Sequence, residues 1–301
     1  MRIISIGEIL WDVFDRSEFI GGAPLNFSAH SQRLGNHVAL ISAIGDDERG
    51  RRTLSAIESF GLTTEFIQTI ANRPTGTASV AVDASGNATY SIVRPAAYDF
   101  VNLDELILAS VAAFDPNWIY FGTLAQTSES NEDKLLRLLD SCPGAGRFYD
   151  MNLRTGHWTL PLVERLCRIA TVLKLNETEA EILFGCVPSH ERFSLESFCK
   201  YWAEKYGLKT ICVTLGGRGC AVFTSGNLKV IPGHPITVAD TVGAGDAFAA
   251  AFLHGLELGW LPERTAAFAN ALGALVASRH GATPEWTHDE LAVMCQSELN
   301  A

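Results

Sequence analysis

A chain of 301 residues with 47% hydrophobic content can bury a large core, and an α/β chain of this length is commonly one domain rather than two. Its formal net charge of −11 argues against a nucleic-acid partner, because phosphate backbones call for a basic stripe. Seven scattered cysteines with no Cys-x-x-Cys pair read as reduced thiols, and eight histidines without metal-ligand spacing give no zinc site to expect.

The first stretch, Arg2–Ile6, is expected to be a strand rather than part of a secretory leader. No apolar run in the chain is long enough to span a bilayer, so a cytoplasmic location without a membrane partner is expected. Trp11–Ile20 is β-rich. Gly21-Gly22-Ala23-Pro24-Leu25-Asn26 then leads into a helical stretch from about Phe27 to Leu34, ended by Gly35. Val38–Ile44 reads as an apolar strand. Thr75–Pro95 is β-rich again, alternating over Thr77–Val82 and Thr89–Arg94 around a turn at Asp83–Ala88. Further short apolar strands follow at Trp118–Phe121, Arg147–Asp150, Val172–Leu175 and Thr210–Thr214, separated by amphipathic stretches. Such alternation implies a mostly parallel sheet with helices on both faces. The two β-rich segments, about 11–20 and 75–95, read as a small antiparallel lid; the second could instead be an edge of the main sheet.

The most informative stretch is Asp240-Thr241-Val242-Gly243-Ala244-Gly245-Asp246-Ala247-Phe248, which opens a helical run from Ala247 to Leu258. Glycines let backbone approach an anion, a helix start supplies unpaired N–H groups, and Asp246 falls in the first turn beside them. An anion cradle next to a proton acceptor is what phosphoryl transfer to a hydroxyl requires. Taken alone, Gly-Ala-Gly-Asp is equally a tight turn with an acidic cap.

Three companion segments sit at strand ends: the Gly21–Asn26 stretch, Asn176-Glu177-Thr178-Glu179, and Thr214-Leu215-Gly216-Gly217-Arg218-Gly219. In this order and at these intervals the four segments resemble the ribokinase (PfkB) family of sugar kinases, from about Met1 to Pro284. Within that family Gly7-Glu8-Ile9-Leu10-Trp11-Asp12, Gly22-Ala23-Pro24 and Asp150-Met151-Asn152-Leu153-Arg154 look most like fructokinases. The resemblance implies a single ribokinase-like three-layer α/β/α domain over 1–301 with a small β lid, and dimers formed through that lid. It also implies ATP and Mg²⁺, with K⁺ as a further candidate.

Residue by residue, the resemblance makes Asp246 the base and Gly243, Ala244 and Gly245 the anion hole. Asp12, Gly21, Gly22 and Asn26 match its sugar positions; a carboxylate accepts hydroxyl protons and an amide both donates and accepts. A helix N-cap is the plainer reading of Asn26, and a solvated turn that of Asp12. Arg154 is expected on phosphate or distal sugar oxygens, although Met151 stands where the family motif has proline, which should loosen the turn. Arg94, at the lid's end, is a further sugar candidate. Asn176 and Glu179 match residues that organise Mg²⁺ through water, and a capping box explains the same pair. Thr214, Gly216 and Gly219 would border the ATP phosphates and ribose, and Asn270 would flank adenine. Asp240, Val242, Val276, Arg279, Gly281 and Glu285 match a monovalent-cation site.

The activity implied is ATP-dependent phosphorylation of a primary hydroxyl of a ketose, fructose first, then 2-keto-3-deoxygluconate or ribose. A catalytically silent sugar sensor is the non-enzymatic alternative. A dinucleotide enzyme would need Gly-x-Gly-x-x-Gly after the first strand, and no Walker-type Gly-x-x-x-x-Gly-Lys occurs.

Overall fold

The computed structural model describes residues 1–15, 17–82, 88–127, 129–187 and 192–296. Its strands in chain order are β1 (Arg2–Ile6), β2 (Leu10–Val13), β3 (Glu18–Gly21), β4 (His37–Gly45), β5 (Ile67–Ile70), β6 (Gly76–Val82), β7 (Ala88–Val93), β8 (Trp118–Gly122), β9 (Gly146–Asp150), β10 (Val172–Asn176), β11 (Thr210–Thr214), β12 (Cys220–Thr224) and β13 (Asn227–Ile231). The helices are α1 (Ala23–Arg33), α2 (Glu48–Ser59), α3 (Glu105–Phe114), α4 (Glu129–Ser141), α5 (Leu160–Ile169), α6 (Glu177–Gly185), α7 (Leu195–Tyr206), α8 (Ala244–Glu257), α9 (Pro262–Ala277) and α10 (His288–Gln296).

Nine strands form one sheet in the order β13-β12-β11-β10-β9-β8-β1-β4-β5, parallel except at the β11–β12 and β12–β13 pairs. The reason lies in the strand sequences. Along β1, Ile3, Ile4 and Ile6 are all buried, Ile4 and Ile6 entering one core and Ile3 the other. A strand apolar on both faces needs cover on both sides, which crossover helices supply. Side chains of α3 to α7 build one core around Leu138, Leu166 and Trp202, and those of α1, α8 and α9 build the other around Phe27, Phe252 and Leu272. The expected three-layer α/β/α architecture is therefore present. The sequence reading did not anticipate β5, β12 and β13; β13 is an edge strand in which Ile231 alone is buried, so its apolar signal is weak.

β1 sits where strand order turns back, with β4 on one side and β8 on the other. In an open α/β sheet the crevice beyond the carboxyl ends of such strands is where ligands bind. Helix α8 points its start at this crevice. Ala247, Ala249, Ala250 and Ala251 are fully buried in it, so its small side chains let α1 and α9 pack close on either side.

The lid is a separate four-stranded sheet, β3-β2-β6-β7, and not an edge of the main one. Its expected antiparallel character needs correcting: β2–β3 and β6–β7 are antiparallel hairpins, but they join through a parallel β2–β6 pair running from Leu10↔Gly76 to Val13↔Ser79. Both hairpins leave the main chain path at the same end of the sheet, which aligns β2 and β6. The turn expected at 83–88 lies largely outside the described residues. Paired residues share a face, so Asp12, Phe19, Ala78 and Ile92 face one way. On the other face Trp11 donates to Thr53 Oγ1 at 3.0 Å and lies 4.1 Å from the Arg52 guanidinium, while Glu18 pairs with Arg49 and Arg52, so α2 holds the lid's back.

Candidate active site

Gly243, in a left-handed conformation (φ 77°), caps α8. Only glycine fits there, because a Cβ would lie 2.2 Å from the Ala282 carbonyl oxygen. The helix thus starts one turn before the expected Ala247. Among the described residues neither the Gly243 nor the Gly245 amide has an acceptor, whereas the Ala244 amide points at the Thr241 carbonyl, 3.3 Å away. The expected three-amide cradle accordingly reduces to two free donors, both in residues that line a cavity of about 240 Å³. The helix dipole adds to their pull on an anion.

Asp246 lies in the first turn, buried, and accepts a hydrogen bond from Asn26 Nδ2 at 2.8 Å. Two motifs 220 residues apart therefore meet. Burial first, and Asp150 second, push the Asp246 carboxyl up to about 6, opposed by Lys174 and Asn26. Asn26 is not the N-cap of α1: Gly22 is, and α1 begins at Ala23 because Pro24 fits a first helical turn rather than breaking one. Gly22 lines the cavity described above, and it also lies against the strand end, since a Cβ there would meet the Glu8 carbonyl at 2.5 Å. Gly21 stands beside Asp12, whose Oδ2 would be 3.3 Å from a Cβ at that position.

The same cavity is lined by Glu8, Asp12, Asn152 and Arg154, with Leu10, Ala78 and Ile92 from the lid. Burial raises the Glu8 carboxyl to about 7 and that of Asp12 to about 6, with Arg154 opposing both. Arg94 is not brought to the cavity. Its guanidinium pairs with Asp99, Nε to Oδ2 at 3.2 Å, and donates to the Leu124 carbonyl at 2.9 Å and to Thr127, so it fastens the end of the lid.

Behind the α8 start lies a buried polar set that sequence reading missed. Lys174 Nζ bonds both oxygens of Asp150, at 3.0 and 3.2 Å, and Tyr120 donates to Asp150 at 2.9 Å. Burial alone would pull the Lys174 ammonium down, but Asp150, Asp246 and Glu179 more than offset it. The ammonium would be 3.3 Å from a Cβ on Gly245, so a fixed cation backs the two free amides. Lysine two residues before Asn176 in a buried strand was the available signal. The turn after β9 is not loosened by Met151 either: its amide, which proline would lack, donates to the Lys174 carbonyl at 2.9 Å. Asn152 takes a left-handed φ of 45° and carries Arg154 to the cavity, exposed and without a hydrogen-bond partner among the described residues.

A second, open cleft of about 450 Å³ adjoins the far side of this turn, lined among others by Leu153, Asn176, Glu179, Thr214 and Gly216. Asn176 and Glu179 form the capping box, and Glu179 also accepts the Leu153 amide at 2.7 Å, tying α6 to the turn. Gly219 and Asn270 line neither space. Gly219 packs against the Ile231 carbonyl, and Asn270 donates to the Pro232 carbonyl at 2.9 Å, so both secure β13 and α9.

The sequence model of the pfkB family carbohydrate kinases matches residues 5–289. The chain belongs to the pfkB family. It is a sugar kinase, a phosphotransferase with an alcohol acceptor. Fructokinase-1 of Oryza sativa subsp. japonica is 28% identical, over 94% of this chain and 93% of its own length, and a fructokinase of Klebsiella pneumoniae is 27% identical over 87% of each. Among solved structures, a fructokinase with bound ATP from Xylella fastidiosa superposes with a TM-score of 0.87 at 22% identity, covering 99% of both chains. A 2-dehydro-3-deoxygluconokinase from Thermotoga maritima does so at 0.85 and 21%, covering 98% of this chain and 99% of that one. Identities this low speak to the fold shared with other pfkB kinases, not to the sugar.

In this pfkB kinase the expected cation positions fall into two groups. Asp240 joins two loops by accepting the Val242 and Gly281 amides, each at 3.0 Å. The Glu285 carbonyl instead takes the Arg279 guanidinium, and the Val276 carbonyl takes the Arg279 amide at 3.0 Å. The loop that seats Gly243 is held by His30: Trp286 donates to its Nδ1 at 3.1 Å, so Nε2 carries the proton and donates to the Ala282 carbonyl at 3.0 Å. Burial lowers the His30 pKa to about 4. Folding therefore favours the neutral ring, and the stability this gives is complete above the unfolded pKa near 6.5 and lost as pH falls to about 4. The loss should be about 3 kcal/mol. Denaturation curves of the wild type and His30→Gln across pH 7 to 4 should converge by that amount; parallel curves would refute the assignment.

Proposed function

We propose that this kinase transfers the γ-phosphoryl group of ATP to a primary hydroxyl of a neutral ketose, fructose before others. The observation that carries the reading is the meeting of Asn26 and Asp246 at a cavity also lined by Gly243 and Gly245, whose amides have no acceptor among the described residues. A hydroxyl set beside Asp246 gives up its proton to that carboxylate as its oxygen bonds to the phosphorus and the bond to ADP breaks. Charge building on the transferred group meets two main-chain donors, a helix start and the Lys174 ammonium behind them. At neutral pH a base poised near 6 is mostly ionised, and a loose transition state asks little more of it.

The nucleotide is assigned to the open cleft bordered by Asn176, Thr214 and Gly216, whose lining residue Leu153 stands between Asn152 and Arg154 of the first cavity. Each oxygen of Glu179 gives one lone pair to a backbone amide and keeps another, which suits a Mg²⁺ ion reached through water and carried chiefly by the nucleotide phosphates. When bound, that ion neutralises charge on the phosphate oxygens.

The preference for a neutral sugar rests on charge. Glu8, Asp12 and Asp246 line the cavity against one guanidinium, Arg154, so the carboxylate of 2-keto-3-deoxygluconate would meet more repulsion than attraction. ADP release measured with fructose, ribose, tagatose and 2-keto-3-deoxygluconate tests this directly. Fastest turnover with the acid would overturn the preference, and no turnover with any sugar would favour a silent sensor. Asp12→Ala should raise the sugar KM at least about tenfold while leaving the ATP KM within about twofold. Equal changes in both would remove Asp12 from the sugar side.

A further inference from the structure

Among the described residues, three of the four buried carboxylates accept hydrogen bonds from groups elsewhere in the fold. Asp150 takes Lys174 and Tyr120, Glu179 takes two backbone amides, and Asp246 takes Asn26. Glu8 is 6% exposed, and its Oε2 has no hydrogen-bond partner. Leaving such an oxygen unpaired in the interior is costly unless something else fills the space. Two other orphaned atoms belong to lining residues of the same cavity: the acceptor Asn26 Oδ1 and the donor Asn152 Nδ2.

Resting on the reading of this cavity as the sugar site, we propose that Glu8 is a specificity-determining ligand that accepts a hydrogen bond from one hydroxyl of the sugar. Its position is fixed by backbone. Glu8 directly follows β1 and Gly7, and Gly22 rests on its carbonyl, so the side chain is set by the same glycine that starts α1. The lid side chains Leu10, Ala78 and Ile92 cover the cavity with apolar surface, so that apart from the part Asp12 takes, the hydroxyls of a bound sugar are satisfied from the floor. Asn152 supplies the complementary donor. A site built around a hydroxyl rejects an analogue lacking it, because the protein group is then left unpaired.

The test uses wild type, Glu8→Gln and Glu8→Leu with the best sugar of the panel and its monodeoxy derivatives, each missing one hydroxyl. In the wild type one derivative should lose roughly a hundredfold or more in kcat/KM. Glu8→Leu should lose about as much with the parent sugar, keep its ATP KM, and discriminate less than about threefold at that same position while retaining discrimination elsewhere. Glu8→Gln, nearly isosteric, should fall between. Variants that match the wild type in sugar KM and in every deoxy ratio would overturn the proposal. Variants that lose affinity equally for the parent and all derivatives would also overturn it, since that is what a purely structural Glu8 predicts. Inactivity of the wild type with every sugar, together with no sugar binding by calorimetry, would bring down the cavity reading itself, and is thereby distinct from failure at Glu8 alone.

Discussion

Asp246→Asn is expected to lower turnover by about two to four decades while leaving the fold intact. The substitution is isosteric, and the amide oxygen can still accept from Asn26, so the contact between α1 and α8 survives. What disappears is the proton acceptor. Removing a buried carboxylate whose pKa burial has raised to about 6 also relieves a destabilising charge at neutral pH, so thermal stability should not fall. The wild-type turnover should decline on the acid side near pH 6, as protonation silences the base, and that limb should vanish in the variant. Near-normal turnover, or an unchanged acid limb, would exclude Asp246 as the base.

Valine at the two neighbouring glycines should separate folding from catalysis. At Gly243 the backbone is left-handed, and the added Cβ would press on the Ala282 main chain at 2.2 Å, where nothing flexible can yield. A β-branched residue in that conformation should cost roughly 3 kcal/mol or more in stability. At Gly245 the backbone is ordinary helix, and the nearest atom to a new Cβ is the end of Lys174 at 3.3 Å. Gly245→Val should therefore fold, yet screen a free amide and displace the ammonium behind it, lowering turnover by about two to three decades. Denaturant midpoints and single-turnover rates, taken together, read out both effects. If Gly245→Val keeps its rate, or if the two variants lose stability equally, the division of labour fails.

Much of this site was legible because its chemistry sits on residue types that have few other uses at strand ends. Glycine pairs followed by Asn26 or Asp246 mark close backbone approach and a polar group on a helix's first turn, and these are the residues that meet. The alternation of buried strands with amphipathic stretches gave the layers. What was not legible depends on partners distant in sequence. Arg94 reads as a lid arginine aimed at a sugar until Asp99 and the Leu124 carbonyl are seen to saturate it. Glu8 looks like an ordinary residue after a strand, because only the cavity shows that its oxygen lacks a partner. Asn270 and Gly219 carry identities compatible with a nucleotide contact, but the Pro232 and Ile231 carbonyls claim them. Helix starts were placed a turn late wherever glycine or proline was taken as a break rather than as the first turn.

The parallel pairing of β2 with β6 makes two hairpins, some sixty residues apart in the chain, a single stiff flap. Its inward face carries Asp12, and through the short Gly21-Gly22 connection it runs straight into the helix that bears Asn26. A displacement of this flap would therefore reach Asp12 and the start of the helix bearing Asn26 together, while Trp11 and Glu18 tie its outer face to Thr53, Arg49 and Arg52. A substitution on that outer face would thus act on a cavity that neither Trp11 nor Glu18 lines.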